Sequence, residues 1–145
     1  MMKSVVQVVK NASIVIDGAY GGSIKRGLVV LVAYRNEDTD ETIGYLTDKI
    51  LNLRVFPDEN GKLNLSVKDV KGSVMLVSNF TLYGDAAKGR RPSYTLSAKP
   101  EISKPLFLKT KALFEKEITT VSGNFGSDMQ ISLVNDGPIT LTLEA

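Results

Sequence analysis

The 145-residue chain contains no cysteine and no histidine. Without cysteine it has no disulfides, which is typical of proteins in a reducing compartment, and we expect a cytoplasmic protein. The joint absence of histidine and cysteine excludes Ser-His-Asp and Cys-His nucleophilic triads. It also excludes the usual zinc sites, because only carboxylates remain as side-chain ligands. An enzyme of this composition must work with backbone dipoles, hydroxyls, carboxylates, lysines or groups of its substrate.

The chain also lacks long apolar stretches. No apolar run approaches the roughly 20 residues that a membrane span needs, so we expect no membrane association. The opening stretch, MMKSVVQVVKNAS, has neither the apolar core nor the cleavage site of a secretion signal. Internal repeats, low-complexity tracts and linkers are absent as well. We therefore predict a single domain over residues 1–145.

Charge is nearly balanced, with a formal net charge of +2. The overall charge is too small to indicate nucleic-acid binding by itself. The distribution is uneven, because the stretch from Ala86 to Lys116 holds eight basic residues and two acidic ones. Such a segment is typical of a phosphate-binding surface. A solvated loop followed by a solvated helix face is a somewhat more common explanation of such a segment, and charge alone leaves both interpretations open.

Hydrophobic periodicity predicts a strand-rich chain with two helices. We expect a hairpin from Lys3–Lys10 and Ala12–Asp17, and helices at about 39–52 and 103–117. Further strands are predicted at 28–34, 54–56, 62–66, 73–80, 128–135 and 139–144, with a long irregular loop over 81–103. The predicted fold class is α+β, with mostly antiparallel sheets forming a barrel-like core and two main helices packed outside.

One stretch that could carry chemistry is Ser78-Asn-Phe-Thr-Leu82, where a buried strand opens into the basic loop. Polar residues at this point are well placed to line a pocket. Backbone N–H groups released from the sheet there can stabilise a developing oxyanion. The alternative is a plain strand end, whose hydroxyls satisfy loose backbone groups.

A second stretch is Leu133–Leu141, LVNDGPITL, where Gly137 and Pro138 interrupt a strand-like pattern. A trans turn is the default, because only about 5–6% of X-Pro bonds in folded proteins are cis. In the cis form, two successive carbonyls would point the same way and form a rigid acceptor pair without side chains. Both interpretations stay open at this level.

Three segments together resemble the D-aminoacyl-tRNA deacylase family: SNFTLYGD at 78–85, RRPSY at 90–94 and SGNFGSDMQISLVNDGPIT at 122–140. The similarity runs in order along essentially the whole chain. It implies a homodimer with active sites at the subunit interface. It further implies hydrolysis of the ester that joins a D-amino acid, or glycine mischarged onto tRNA(Ala), to the terminal ribose of tRNA, without a metal or cofactor.

The resemblance assigns roles to residues of both stretches. Gly137 and Pro138 would be a cis dipeptide that enters the partner's pocket, where its carbonyls hold the substrate amino group and exclude an L side chain. The catalytic wall would consist of Ser78, Phe80 and Thr81, with the N–H groups of Phe80 and Thr81 as oxyanion donors. Either the Thr81 hydroxyl attacks the ester, or the 2′-hydroxyl of the tRNA activates water. We favour the second, because no base is available to Thr81.

Further residues follow from the same resemblance. Those predicted to bind or border the substrate are Asn79, Phe125, Met129 and Asn135. Those predicted to bind tRNA, in the basic loop, are Lys88, Arg90 and Arg91.

Two positions depart from the family pattern. Asn79 replaces a glutamine, so any hydrogen bond of that side chain must be re-aimed. The N-terminal Gln-Arg-Val reads Gln7-Val8-Val9 here, and Lys10 and Arg26 are the basic residues available to replace the arginine.

Two other functions compete with the deacylase. A related editing domain, similar to the one of archaeal threonyl-tRNA synthetases, would remove an L-amino acid instead. A non-catalytic RNA-binding dimer would use the segment 88–116 and bind tRNA without turnover. Such binding would be tight and salt-sensitive.

Overall fold

The computed structural model describes all 145 residues. Two helices and eight strands are connected mostly by short turns. In chain order the elements are β1 (Lys3–Ile16), β2 (Ala19–Ile24), β3 (Gly27–Ala33), α1 (Asp40–Asn52), β4 (Phe56–Pro57), β5 (Leu63–Leu65), β6 (Ser73–Ser78), a 3₁₀ turn (Phe80–Tyr83), α2 (Pro100–Glu117), β7 (Thr120–Ser122) and β8 (Met129–Glu144).

The main sheet has the strand order β2-β1-β3-β6-β7, and β8 pairs with β1 along its length. The β3–β6 and β6–β7 pairs are parallel, and the other pairs are antiparallel. The sheet curls until its edges approach each other, since a Cβ added to Gly22 of β2 would lie 2.9 Å from Val121 Cγ1 of β7. The predicted α+β fold, with a barrel-like sheet and two outer helices, is confirmed.

The core has two parts, one on each face of the sheet. The larger holds 20 buried residues and joins β1, β3 and β6 to both helices. The smaller holds seven, inside the curl of the sheet. Alternating side chains of β1 serve the two parts, with Val6 and Val8 in the first and Val9, Ala12 and Ile14 in the second. Val8 and Val9 follow the normal alternation, but Val9 and Ala12 serve the same part of the core although they are three positions apart, so the irregularity in the strand lies at Lys10 and Asn11.

The first helix begins where expected. Thr39 caps α1, its hydroxyl accepting a hydrogen bond from the Thr42 N–H at 3.3 Å. Asp40 and Glu41 follow in the first turn, where the helix dipole favours negative charge. The predicted start of the second helix at Ser103 is wrong. Helix α2 begins at Pro100, because proline suits the first helical position, and the Ser103 hydroxyl instead donates to the Lys99 carbonyl.

The predicted hairpin of Lys3–Lys10 with Ala12–Asp17 is also wrong. Both segments belong to the single strand β1. The hairpin lies one segment later, where β1 pairs with β2 across Asp17 and Gly18, both at positive φ. An Asp-Gly pair favours this type of two-residue turn. Lys10 and Asn11 form a bulge instead, opposite Val134 alone, where β1 changes register with β8.

Strand β8 likewise joins two predicted strands into one. Gln7 pairs with Thr140 and Val9 pairs with Asn135, so the four residues 136–139 lie opposite Val8 alone. The Gly137–Pro138 peptide bond within this stretch is cis. We call the residues Asp136–Ile139 the β8 loop. It is an outward bulge of a continuous strand and does not connect two strands.

Candidate functional site

A cavity of about 630 Å³ opens where β3 and β6 end. Since β3 and β6 are parallel and Val32 pairs with Ser78, their carboxyl ends meet at one edge of the sheet. Segments that follow other elements complete the walls. The residues that line it include Tyr34, Ser78, Asn79, Phe80, Tyr94, Ser97, Phe125 and Met129. Five residues predicted to form the site, Ser78, Asn79, Phe80, Phe125 and Met129, therefore share one cavity. Thr81, predicted for the same wall, does not line the cavity; it follows Phe80 in the 3₁₀ turn.

The 3₁₀ turn directly after β6 presents free backbone donors. The Asn79 N–H still donates to the Val32 carbonyl at 2.8 Å, as a continuation of the sheet. The next two N–H groups, of Phe80 and Thr81, donate to no backbone carbonyl or side chain of the protein. Unpaired N–H groups at the start of a turn are suited to bind an oxygen that carries negative charge.

The Thr81 hydroxyl is already engaged. It donates a short hydrogen bond to the Asn79 side-chain oxygen. An amide oxygen accepts a hydrogen bond but does not remove the proton, so this contact orients the hydroxyl without making it a nucleophile. Asn79 thus makes a contact within the turn itself.

An aromatic pair forms the outer rim of the cavity. The rings of Phe80 and Tyr94 meet edge to face, with centroids 5.3 Å apart. The Ser97 hydroxyl donates to the Phe80 carbonyl at 3.3 Å and ties the loop to the 3₁₀ turn. Phe80 is nevertheless 56% exposed, an unusual position for a large apolar ring. The rim is therefore available to a flat or apolar ligand group.

Tyr34 forms the floor of the cavity and is almost fully buried. Its hydroxyl lies 2.7 Å from Thr110 Oγ1, which donates in turn to the Leu106 carbonyl, so Tyr34 is the donor. Burial raises the pKa of the Tyr34 phenol well above its usual value, and the group stays protonated. The Tyr34 carbonyl also accepts from the Ala98 N–H at 2.8 Å, which fixes the loop before α2 to the sheet.

Sequence reasoning missed Tyr34, Tyr94 and Ser97 as site residues. Tyr94 stands in the RRPSY motif, but nothing local assigns it a partner 14 positions earlier. Tyr34 ends an apolar strand and is typical of a core residue. Only the pairing of β3 with β6 and the return of the loop bring the three together.

Gly137, Pro138 and Asn135 lie elsewhere. None of the three lines the cavity, and the first two are exposed in the β8 loop. The Asn135 amide is occupied within the chain: it donates to the Val8 and Ile139 carbonyls at 2.9 and 3.1 Å. Lys10 and Arg26 donate no side-chain hydrogen bond to the loop, and Arg26 lies instead over the Phe56 ring, at 5.1 Å.

The basic loop residues are exposed. Lys88, Arg90 and Arg91 form no ion pair within the chain, although six ion pairs occur elsewhere. A single bridge between Asp85 and Ser93 closes the base of the loop that carries them. Three unpaired cations on one loop near the cavity rim attract phosphate groups.

Metal ligands are not clustered anywhere in the protein: no group of three or more acidic residues is placed to hold an ion. None of the helices is both long and apolar enough to cross a membrane.

The chain matches the family model of D-Tyr-tRNA(Tyr) deacylase over residues 5–144. It is 50% identical to a D-aminoacyl-tRNA deacylase of Thermosipho africanus, covering 99% of this chain and 97% of the relative. A D-aminoacyl-tRNA deacylase of Clostridium novyi is 48% identical over the same shares of the two chains. Among solved structures, one described as "c-Myc DNA Unwinding Element Binding Protein" superimposes with a TM-score of 0.92 at 37% identity, covering 99% and 98% of the two chains. A "probable eukaryotic D-amino acid tRNA deacylase" has the same fold, with a TM-score of 0.86 at 14% identity and coverage of 99% of both chains.

Proposed function

The chain belongs to the D-Tyr-tRNA(Tyr) deacylase family, and we propose that it hydrolyses the ester bond of D-aminoacyl-tRNA to release a free D-amino acid and tRNA. We further propose that residues 1–145 act as a single deacylase domain. The observation that carries this proposal is a cavity lined by Phe80, whose N–H and that of the next residue, Thr81, donate to no group of the protein. Ester hydrolysis builds negative charge on the carbonyl oxygen, and donors fixed in advance stabilise it.

In this site the aminoacyl ester lies against the 3₁₀ turn. The Phe80 and Thr81 N–H groups bind the ester oxygen, and Ser78 borders the reacting carbon. Phe125 and Met129 also line the cavity. The volume of about 630 Å³ is in the range of pockets that bind drug-sized ligands. An aminoacyl ribose is smaller than such a ligand, so the cavity has room for it.

We propose that water activated by the substrate's own 2′-hydroxyl attacks the ester. The Thr81 hydroxyl donates a hydrogen bond to the amide oxygen of Asn79, which is not a base and does not take the proton. An aminoacyl ester is intrinsically reactive, and the 2′-hydroxyl stands beside it in every substrate molecule. Positioning and two backbone donors then supply the catalysis that a histidine would otherwise provide.

In this proposal the site distinguishes D- from L-amino acids by excluding the L side chain. The main-chain oxygens of Gly137 and Pro138 hold the substrate amino group and occupy the space that an L side chain needs. A wall without side chains accepts many D-amino acids, because it does not read their identity. Glycine on tRNA(Ala) is accepted for the same reason.

The excluding wall belongs to a second protomer. Asn135, at the base of the β8 loop, lies four residues beyond Ile131, the last residue of β8 that lines the cavity, or roughly 13 Å along a strand at 3.3 Å per residue. The loop therefore does not reach the cavity of its own chain. Val134 and Leu141 of β8 are exposed apolar residues, which suits an interface between two copies.

Light scattering is expected to give the mass of a dimer, and a monomer mass at assay concentration would contradict the shared site.

The acceptor end of tRNA passes over the basic loop. Lys88, Arg90 and Arg91 are exposed, unpaired and on the loop that returns to the cavity at Tyr94 and Ser97. They are proposed to bind phosphates, a contact that carries no sequence information.

The proposal is tested with purified protein, D-Tyr-tRNA and L-Tyr-tRNA. Fast release of D-tyrosine with little release of L-tyrosine is expected. Release of L-tyrosine, or of L-serine from L-Ser-tRNA, would favour the editing function for an L-amino acid. Tight, salt-sensitive tRNA binding without release of either amino acid would favour the RNA-binding dimer.

A further inference from the structure

The β8 loop must hold a single conformation to perform the role proposed for it. Four residues, Asp136–Ile139, bulge from a strand opposite the single residue Val8. A stretch of this length has lost its ladder hydrogen bonds to β1, and an exposed stretch without partners would adopt many shapes. Exclusion of an L side chain needs one shape, because a wall that moves by an ångström admits what it should reject.

A chain of three side chains spans the base of this loop. The Gln7 side-chain amide donates to Thr140 Oγ1 at 3.3 Å, and the Thr140 hydroxyl donates to Asn135 Oδ1 at 3.2 Å. Asn135 Nδ2 donates in turn to the Ile139 carbonyl at 3.1 Å and to the Val8 carbonyl at 2.9 Å. Asn135 and Thr140 flank the loop, so their contact closes it into a ring.

The direction of each hydrogen bond is fixed by chemistry. A carbonyl only accepts, so both hydrogens of the Asn135 amide are used on Val8 and Ile139. Its oxygen must then accept, so Thr140 donates its one proton and has only lone pairs left for Gln7. Two of the three side chains sit on β8 and the third sits on β1, opposite Thr140 in register. The loop is thus tied to the sheet at both of its ends.

We propose that Gln7, Thr140 and Asn135 are positioning residues that hold the Gly137–Pro138 segment in the shape that excludes an L side chain. This inference rests on the proposed function, and it assigns Asn135 an indirect role in place of the predicted contact with substrate. Asn135 has no amide hydrogen left to donate to a ligand. Its effect on the reaction passes through the loop.

The test compares Thr140→Val with Thr142→Val. Both changes replace threonine by valine on the exposed face of β8, but the Thr142 hydroxyl makes no hydrogen bond within the chain. In Thr140→Val, the ratio of kcat/KM for D-Tyr-tRNA over L-Tyr-tRNA is expected to fall about tenfold, the factor that one lost hydrogen bond corresponds to. Thr142→Val is expected to keep the wild-type ratio within about twofold. Thr140→Ser keeps a hydroxyl at this position and is therefore expected to keep the wild-type ratio of kcat/KM for D-Tyr-tRNA over L-Tyr-tRNA.

A second measurement does not depend on catalysis. Amide hydrogen exchange at Gly137 and Ile139 is expected to be faster in Thr140→Val than in Thr142→Val or the wild type. Gln7→Leu, which changes only the outer end of the chain of side chains, is expected to show both effects more weakly.

Two results would overturn the positioning role: an unchanged D/L ratio in folded Thr140→Val, or unchanged exchange at the loop. Equal release of D- and L-tyrosine by the wild-type protein would instead refute the proposed function, and the wild-type assay alone reveals it. Should Thr140→Val fail to fold, Gln7→Leu gives the same two measurements.

Discussion

Replacing Gly137 by alanine is expected to lower kcat/KM for D-Tyr-tRNA by about 100-fold, the size of effect that a misplacement of about 1 Å has on an oriented reaction. Gly137 has a φ of +120°, which L residues rarely adopt. An added Cβ would lie 2.8 Å from Ile139 Cγ1 and 3.0 Å from the Ile139 backbone nitrogen. One of these atoms belongs to the main chain and cannot rotate away. The β8 loop must therefore change shape, and the substrate amino group loses its acceptors.

Gly61→Ala is the matched control for this experiment. Gly61 also has a positive φ, +77°, but a Cβ there would meet no atom within 4 Å, and the residue lies in the turn between β4 and β5. Both variants bear the backbone strain of alanine at positive φ, about 1–3 kcal/mol. Thermal unfolding is expected to show a loss of stability in both variants, larger in Gly137→Ala because its Cβ also meets Ile139, and only Gly137→Ala is expected to lose activity. A Gly137→Ala protein with near wild-type kcat/KM would refute the role of this segment.

A substrate that carries the D-amino acid on the 3′-oxygen of a 2′-deoxy terminal ribose is expected to react at least about 100-fold more slowly, since general acid–base help contributes about 10²–10⁴-fold. Thr81→Ala is expected to cost only about tenfold, because it removes one hydrogen bond, to Asn79. The Thr81 N–H, which is the proposed donor, remains in the variant. Single-turnover rates separate these effects from tRNA binding.

Thr81→Ser provides the control for this second comparison, because it keeps the hydroxyl while changing the packing of the side chain. If Thr81 were the nucleophile, the order of the effects would be reversed: Thr81→Ala would abolish turnover, Thr81→Ser would retain it, and the 2′-deoxy substrate would still react.

Much of the fold follows from local patterns. Helix α1 is predicted by a capping threonine, two acidic residues and apolar residues at helical spacing. Strands β3 and β6 are predicted as continuous apolar runs, as expected of strands buried on both faces. In these elements, local propensity and tertiary environment favour the same structure.

The errors occur where a partner strand decides the structure. Lys10 and Asn11 are two polar residues between apolar runs, and this pattern predicts a turn. Strand β8 pairs with β1 on both sides of them, so the chain continues and the pair becomes a bulge. The β8 loop was predicted to separate two strands for the same reason. Nothing in the sequence near the β8 loop indicates that the strand pairs with β1 both before and after the loop.

The site divides in a similar way. Ser78, Asn79 and Thr81 are predicted from a polar stretch at the end of an apolar strand, and the structure places the first two at the cavity but not Thr81. Phe80 was assigned by the family resemblance and lines the cavity as well. Phe125 and Met129 came only from the family resemblance and line the same cavity. Tyr34 and Ser97 required the loop to return across the sheet, a contact between residues far apart in sequence.

Strand β8 contributes Met129 to the cavity of its own chain and, in the proposed dimer, presents its loop to the cavity of the partner. Each active site of the proposed dimer is therefore built from residues of two polypeptides. A hybrid that combines one intact protomer with one whose loop is damaged has a single working centre, and that centre lies in the cavity of the damaged protomer. Defects in the loop and defects in the cavity then complement each other when they reside on different chains, and they do not when they reside on the same one.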